Sequence, residues 1–368
     1  MIDDAFNRDL REILAERLKR GEIDRREFLF GLMALGGAVA LPGSAANAQA
    51  KEVVLVNWGG DAVKFMADAF GAPFEKDTGI KVVVDSSGPS LAKIKSMVEG
   101  GKVTWDVCDS GAGTSFELGK AGLLERIDYS IVDKSQIPEA FAMPWALGCG
   151  AYSYVIAYDS AKVGATPPQT WAEFWDVKRW PGKRTMRKSM HSVLEAALLA
   201  DGVPKDKLYP LDVKRAFEKV KQIKDHVVWW NAGADSQALI RDGECAIGNI
   251  WSTRAKGLEA DSKGRITWTW SEGIITSAVW VVPKNNPAGK LAHQFMNSTL
   301  LPERQVAFFK TLGTAPANPK AAPLVPAELK RFNAMDTENA AKQVFLDDAW
   351  YADNYSEVYN KFLDLISS

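Results

Sequence analysis

The sequence predicts an α/β protein built on a parallel sheet and preceded by an export leader. Three observations carry this. Between residues 53 and 113, short β-rich runs alternate with helical patterns across short connections, the arrangement that gives parallel strands covered by helices. Three of these runs end in clusters rich in Gly, Ser and Trp, on the edge where ligands sit in such sheets. Ahead of them stands a charged, then apolar, then small-residue segment, which is the order of a targeting signal rather than of a fold.

The leader comes first. Arg25-Arg26 precedes Phe28-Leu29, and an apolar run extends from Phe28 to Leu41 before Ala46-Asn47-Ala48. Twin arginines ahead of such a run resemble a Tat export signal. The run holds Gly31, Gly36 and Gly37 and falls short of the roughly 20 apolar residues a membrane span needs. No Cys follows it, which argues against a lipid anchor. Residues 1–48 are therefore set aside as a Tat-type signal peptide, and the mature protein is expected in a bacterial periplasm.

The remaining chain, about 320 residues, suffices for two domains of roughly 100–200 residues each. With 46% hydrophobic residues, 25% charged residues and a formal net charge of −1, nothing points to nucleic acid or an anionic membrane as partner. No later segment is long and apolar enough to span a bilayer. Three Cys residues, Cys108, Cys149 and Cys245, leave two readings open: buried apolar residues, which is favoured, or a Cys149–Cys245 disulfide. The 13 Trp residues each offer a wide apolar face and one donor, suiting cores and ligand clefts alike.

The elements follow in order. Val53 to Val56 is the first strand and ends at Asn57-Trp58-Gly59-Gly60. Val63, Met66, Ala67 and Phe70 then fall on one helical face, and Thr78-Gly79 closes that helix. Ile80 to Val84 is a second buried-type strand. Ser86 to Ser90 is a turn and cap cluster before a helix carrying Leu91, Ile94 and Val98. A third strand is expected over Trp105 to Cys108, ending at Asp109-Ser110-Gly111-Ala112-Gly113, with a helix from about Thr114. Tyr152 to Tyr158 reads as a strand leaving the first domain. Thr170 can cap a helix with Trp171, Phe174 and Trp175. A second α/β unit includes the helical pattern Met190 to Leu199 and the strand-like Cys245 to Ile250. Ser277 to Val282 reads as a returning strand, and the rest is mostly helical.

The motifs Val56-Asn57-Trp58, Phe74-Glu75-Lys76-Asp77-Thr78-Gly79, Trp105-Asp106-Val107, Gly119-Lys120-Ala121-Gly122-Leu123-Leu124, Pro144-Trp145-Ala146, Thr170-Trp171-Ala172-Glu173-Phe174-Trp175, Gly243 to Gly248, Ile250-Trp251-Ser252 and Glu272-Gly273 occur in order. In this the chain resembles the periplasmic solute-binding proteins of ABC importers, of the spermidine/putrescine type, from about Val53 to Ser368. The resemblance implies a two-lobed periplasmic binding protein fold (type II) with the ligand in the interlobe cleft. It implies lobe 1 from residues 49–155 and 277–318, lobe 2 from 156–276, and a C-terminal helical segment, 319–368, packed on both. It also implies a monomer with no cofactor, whose partners are a small solute and an inner-membrane ABC permease. Lobe closure over the solute is a known class of motion and requires no catalytic group.

Matched residue by residue, the resemblance places Trp58 at the end of the first strand, Ser110 at the end of the third and Trp251 on the wall from the second lobe. An aromatic face holds an alkyl chain or an ammonium. The departures concern charge. Gly60 stands at the family's acidic position after the first strand, with Asp61 beside it. The family's Trp and Asp near the second crossover fall on Thr276 and Ala278. Arg184, Arg187 and Lys188 occupy the stretch where the family has an acidic pair. The cleft is thus expected to have lost anionic groups and gained cationic ones. Arg187 or Arg254 could pair bidentately with a carboxylate, with Ser86, Ser87, Ser110 and Ser252 as further donors; the alternative for Arg187 and Lys188 is a solvated face. The expected ligand is a carboxylate-bearing or zwitterionic, amino acid-like solute, with a true polyamine as the alternative. The candidate contacts are Trp58, Asp61, Ser86, Ser110, Arg187, Trp251, Ser252, Arg254, Thr276 and Tyr351.

An enzyme is not expected. His191, His226 and His293 are scattered, and there is no H-E-x-x-H, nucleophile elbow or P-loop. A ferric-binding relative is a further alternative, since Tyr351, Tyr355 and Tyr359 recur at helical spacing with Asp347, Asp348 and Asp353 nearby. A packed helix stripe explains that pattern better.

Overall fold

A computed structural model describes residues 13–14, 16–23 and 52–367. The twin arginines, the apolar run and Ala46-Asn47-Ala48 lie outside the described residues. The chain divides into two compact units at Gln49/Ala50, and every described strand belongs to the second.

Strand β1 (Glu52–Val56) shows why the sheet forms. Val53 and Leu55 point into one core and Val56 into another, all fully buried. A strand covered on both faces needs an unbroken apolar run, and Val53-Val54-Leu55-Val56 supplies one. The chain then forms α1 (Ala62–Met66), a π turn (Ala67–Gly71) and α2 (Ala72–Thr78), stopped by Gly79 at φ 71°. Strand β2 (Lys81–Asp85) pairs parallel with β1. Helix α3 (Leu91–Glu99) is capped by Ser90, whose side chain accepts from the Lys93 N–H, as the cap cluster predicts.

Strand β3 covers Val107–Gly111, three residues beyond the expected end, and α4 (Ala112–Lys120) follows at once. The extension has a cause the local sequence does not contain. Asp109, Ser110 and Gly111 pair antiparallel with Trp280, Val279 and Ala278 of the returning strand.

Two long strands organise the rest. β4 (Leu147–Asp159) has 13 residues, and the returning strand, β8 (Ile266–Val281), has 16. Between them come α5 (Trp171–Trp175), β5 (Arg184–Arg187), α6 (Val193–Ala200), α7 (Val213–Lys221), β6 (Val227–Trp230), α8 (Gly233–Arg241), β7 (Ile247–Trp251) and α9 (Ser252–Asp261). The path through the sheet is β2-β1-β3-β8-β4-β7-β5-β6. β4 pairs with β8 over Leu147–Tyr154, slips register at Tyr154/Ile156, and pairs again over Ile156–Asp159. One set of strands (β1–β3) therefore sits beside one half of the crossing pair and the other set (β5–β7) beside the other half. The outcome is two lobes joined by two crossing strands.

The sheet is mixed rather than wholly parallel. The outer pairs of each lobe are parallel, as expected, but β3–β8, β4–β8 and β4–β7 are antiparallel. The chain crosses between the lobes once in each direction, so its two crossing strands must run oppositely. Thr170 caps α5 by accepting from the Glu173 N–H, and Trp171 Nε1 donates to the Glu272 carbonyl at 2.8 Å. That bond ties the first helix of lobe 2 to the bend in β8, where Glu272 adopts φ 55°.

The first lobe is completed by α10 (Lys290–Ser298) and α11 (Pro302–Thr311), and by β9 (Ala315–Pro316), which pairs with β4. β10 (Val344–Phe345) pairs with β8. The last helix, α12 (Asp348–Ser367), buries Tyr351, Val358, Phe362 and Leu365 in the core of the second lobe. Its other side meets α4 of the first lobe, where Lys120 pairs with Asp353 at 2.9 Å and Ser356 Oγ donates to Glu117 at 2.6 Å. Cys108, Cys149 and Cys245 are buried and free. No described helix is long and apolar enough to cross a membrane.

Candidate functional site: an interlobe cavity with unpaired charges

The strand ends of both lobes face a cavity of about 470 Å³, a size suited to a small organic molecule. From the first lobe come Trp58 after β1, Ser110 in β3, and Gly111 to Thr114 at the start of α4. From the second come Arg187 at the end of β5, Ser189, His191 and Trp251. The crossing strands add Tyr152, Tyr154 and Thr276, and α12 adds Asp348, Tyr355 and Tyr359.

Arg187 is the most informative of these. It is half-buried at the cavity wall. Its guanidinium carbon lies 5.7 Å from the Trp58 ring centre, 5.1 Å from Trp251, 5.8 Å from Trp230 and 6.0 Å from Tyr154. It hydrogen-bonds the Tyr154 hydroxyl. Among the described residues no carboxylate lies within 4.0 Å of it. Aromatic faces attract a cation but leave most of the guanidinium's donors unused. Such a group is prepared for an anion that the protein does not supply.

His191 sits beside it. Its Nδ1 is 3.2 Å from Ser189 Oγ, and its ring packs 4.2 Å from Tyr351 and 5.2 Å from Tyr355. Burial, reinforced by Arg187, holds its pKa down to about 3, so this ring is neutral. The close approach of α4 depends on Gly113: a Cβ there would lie 2.9 Å from Tyr351 Cβ and 3.2 Å from His191 Nε2.

The cavity is not purely cationic. Asp348 lines it, and burial together with neighbouring Asp347 pushes its pKa up to about 7. Glu117 lines it too, with one carboxylate oxygen buried and unpartnered. Asp109 faces a smaller chamber of about 40 Å³ behind Trp58, Tyr152 and Trp251. Burial raises its pKa to about 7 against the pull of Arg254 and Arg187. The cleft thus holds carboxylates that the family resemblance did not cover: its departures lie after β1, after Gly182 and near the second crossover, whereas Asp109, Glu117 and Asp348 come from β3, α4 and α12.

Of the ten residues predicted from sequence, the structure brings Trp58, Ser110, Arg187, Trp251 and Thr276 to the one cavity. The other five lie elsewhere. Asp61 and Ser86 are exposed, and neither lines the cavity. Ser252 is buried at the start of α9, where its Oγ accepts from the Ser153 N–H at 3.2 Å. Tyr351 is fully buried and donates to Glu195 Oε1 at 2.7 Å; Tyr209 donates to the same oxygen at 2.6 Å. Arg254 lines the smaller chamber with Asp109, and its Nη2 donates to the Gly59 carbonyl across the lobes at 3.0 Å. Lys256, on the same helix, reaches the first lobe as well, donating to the carbonyls of Lys310 and Thr311 at 2.7 and 2.6 Å. A cation at a helix C-terminus is favourable, so α9 fastens the two lobes together on this flank. Arg184, counted from sequence among the cleft cations, is fully buried in the second lobe, and Lys188 is exposed at the cavity rim.

The sequence reading missed His191, Asp348, Glu117, Tyr152 and Tyr154. Only Asp348 carried a usable signal, as one of two acidic residues opening a helix. The ferric alternative gains nothing. Tyr351 is used on Glu195, Tyr355 and Tyr359 stack on each other at 5.3 Å, and among the described residues no group of three or more His, Cys, Asp or Glu could hold a metal.

Two α/β lobes on crossing strands, with a cavity between them lined by charged groups that have no ion-pair partner among the described residues, define a solute receptor. The profile of the bacterial extracellular solute-binding proteins matches residues 69–340, and the chain belongs to that family. It is 33% identical over 317 residues to the gamma-aminobutyric acid-binding protein of Pseudomonas aeruginosa, covering 80% of this chain and 88% of that one. Among solved structures it resembles the Atu4243-GABA receptor at 34% identity and a TM-score of 0.75, over 86% of this chain and 97% of that one. It resembles the binding protein AgtB from A. tumefaciens R10 in complex with agropinic acid at 30% identity and a TM-score of 0.81, over 86% and 99%. Proteins of this family bind small solutes for transport.

Proposed function

We propose that this protein captures a small carboxylate-bearing, amino acid-like solute between its lobes and delivers it to the inner-membrane permease of an ABC importer. One observation carries the reading. Arg187 stands in the aromatic cage with no carboxylate partner among the described residues, so the cage that would suit a polyamine already holds a cation. A carboxylate entering the cavity gains charge-assisted hydrogen bonds to Arg187, whereas a diamine meets like charge. The names of the relatives agree: two are described for gamma-aminobutyric acid and one was solved with agropinic acid. Isothermal titration of the purified, ligand-stripped protein with gamma-aminobutyrate, putrescine and spermidine tests it. Heat of binding from the amino acid alone is expected. Tight polyamine binding with no response to any carboxylate overturns the reading.

Export to the periplasm belongs to the same proposal, and the Arg25-Arg26 leader supports the Tat route. Replacing both arginines by Lys is expected to hold the protein in the cytoplasm; unimpaired export of that variant would assign it to Sec.

A further inference from the structure

We propose that helix α9 is a latch between the lobes that no solute touches, so that part of the free energy of closure is built into the protein and raises its affinity for every solute by the same factor. The latch acts whichever solute the cavity takes. A solute held only by the closed form has an apparent dissociation constant equal to its intrinsic one divided by the closed fraction. Contacts made between the lobes, and not with the solute, act through that fraction alone.

Lys256 is the centre of the latch. It stands on α9 of the second lobe, and its ammonium reaches the last turn of α11 in the first lobe, where the Lys310 and Thr311 carbonyls accept from it. The last carbonyls of a helix have no partner within it. A cation there serves both as donor and as a charge against the negative end of the dipole. The helix end thus comes from one lobe and its cap from the other. The lysine stem fits because residue 313 is a glycine: a Cβ there would stand 2.9 Å from Lys256 Cδ.

Arg254, on the same helix, crosses at a second point, the Gly59 carbonyl. A glycine clears the way here too, since a Cβ on Gly60 would stand 3.1 Å from Arg254 Nη1. Asp109 of the first lobe lines the same small chamber as Arg254, so opposite charges also attract across the lobes. Neither Lys256 nor Arg254 lines the cavity of about 470 Å³. The opposite flank differs on both counts. Its Lys120–Asp353 pair is exposed, where an ion pair contributes little, and its Glu117 and Ser356 themselves line the cavity.

Lys256→Met keeps an apolar stem and removes the donors, and circular dichroism with thermal unfolding verifies that the variant folds. Calorimetry with two probes of different length, 4-aminobutanoate and 5-aminopentanoate, tests the latch. Both are expected to weaken by one common factor, about 3- to 10-fold. Lys256→Arg keeps a donor on a long stem and should recover most of the loss. Solute-free Lys256→Met is also expected to show a larger radius of gyration than the wild type in small-angle scattering. Unchanged affinity in Lys256→Met, tighter binding, or a loss confined to one probe overturns the latch. If the wild type binds neither probe, the amino acid-like reading of the cavity fails by itself, and the solute-free scattering decides: a larger radius in Lys256→Met upholds the latch and equal radii overturn it.

Discussion

Replacing Arg187 by Met should abolish measurable affinity for a carboxylate solute while leaving the protein as stable as the wild type. The Arg187 side chain has one hydrogen bond among the described residues, to the Tyr154 hydroxyl, and otherwise stacks among aromatic rings. Met keeps much of that packing area and gives up the charge. Removing one member of a desolvated, hydrogen-bonded charge pair costs roughly 2–5 kcal/mol, which is at least about a 30-fold loss in affinity. Lys retains the charge but not the planar fork, so Arg187→Lys should fall between the two. Calorimetry reads the affinity and thermal unfolding the stability. Unchanged affinity in Arg187→Met would mean that the solute's carboxylate is held elsewhere.

Three residues earlier on the same strand, the opposite result is expected. Arg184→Leu should destabilise the protein by about 3–5 kcal/mol, which for a chain of this size is a drop in Tm of roughly 4–7 °C. Arg184 is fully buried, and burial pulls its pKa below the usual arginine value. It is held by three backbone carbonyls: Nε donates to Phe174, Nη1 to Gly182 and Nη2 to Trp180, each at 3.1 Å. Its guanidinium carbon lies 5.7 Å from the Phe174 ring centre. Leu leaves those carbonyls without their donors in a segment that closes the lobe's core, and an orphaned buried acceptor costs free energy. The folded fraction of the variant should bind solute with wild-type affinity, because Arg184 does not line the cavity. A Tm within about a degree of wild type, well inside the expected shift, would show that the segment finds other partners.

This pair shows what was and was not legible in the sequence. Four residues of strand cannot reveal which arginine faces a core and which faces a cavity. A side chain three positions along a strand lies on the opposite face, but which face is inside depends on the neighbouring strands and helices. Individual elements were legible, since Val53 to Val56, the Ser90 and Thr170 caps and the Gly79 stop are local signals that the fold obeys, while the two-lobed arrangement came with the family resemblance. The aromatic walls Trp58 and Trp251 were found because they sit at strand ends. Ser252 and Arg254 sit at a strand end too, but the first turn of α9 directs one hydroxyl to Ser153 and one guanidinium to Gly59. The carboxylates were missed for a different reason: Glu117 and Asp348 are far apart in the chain and line one cavity because α12 packs against α4.

The contact between Trp58 and Trp251 has a use beyond lining a wall. Their ring centres are 6.4 Å apart at 67°, one ring from each lobe, and Arg187 lies near both. Two indoles this close couple their electronic transitions, and the coupling fades steeply with distance. A hinge opening of the lobes is expected to separate them. The pair would then serve as an optical gauge of closure, in which a Trp–Trp circular-dichroism couplet and Arg-modulated emission follow the motion on unlabelled protein, solute by solute.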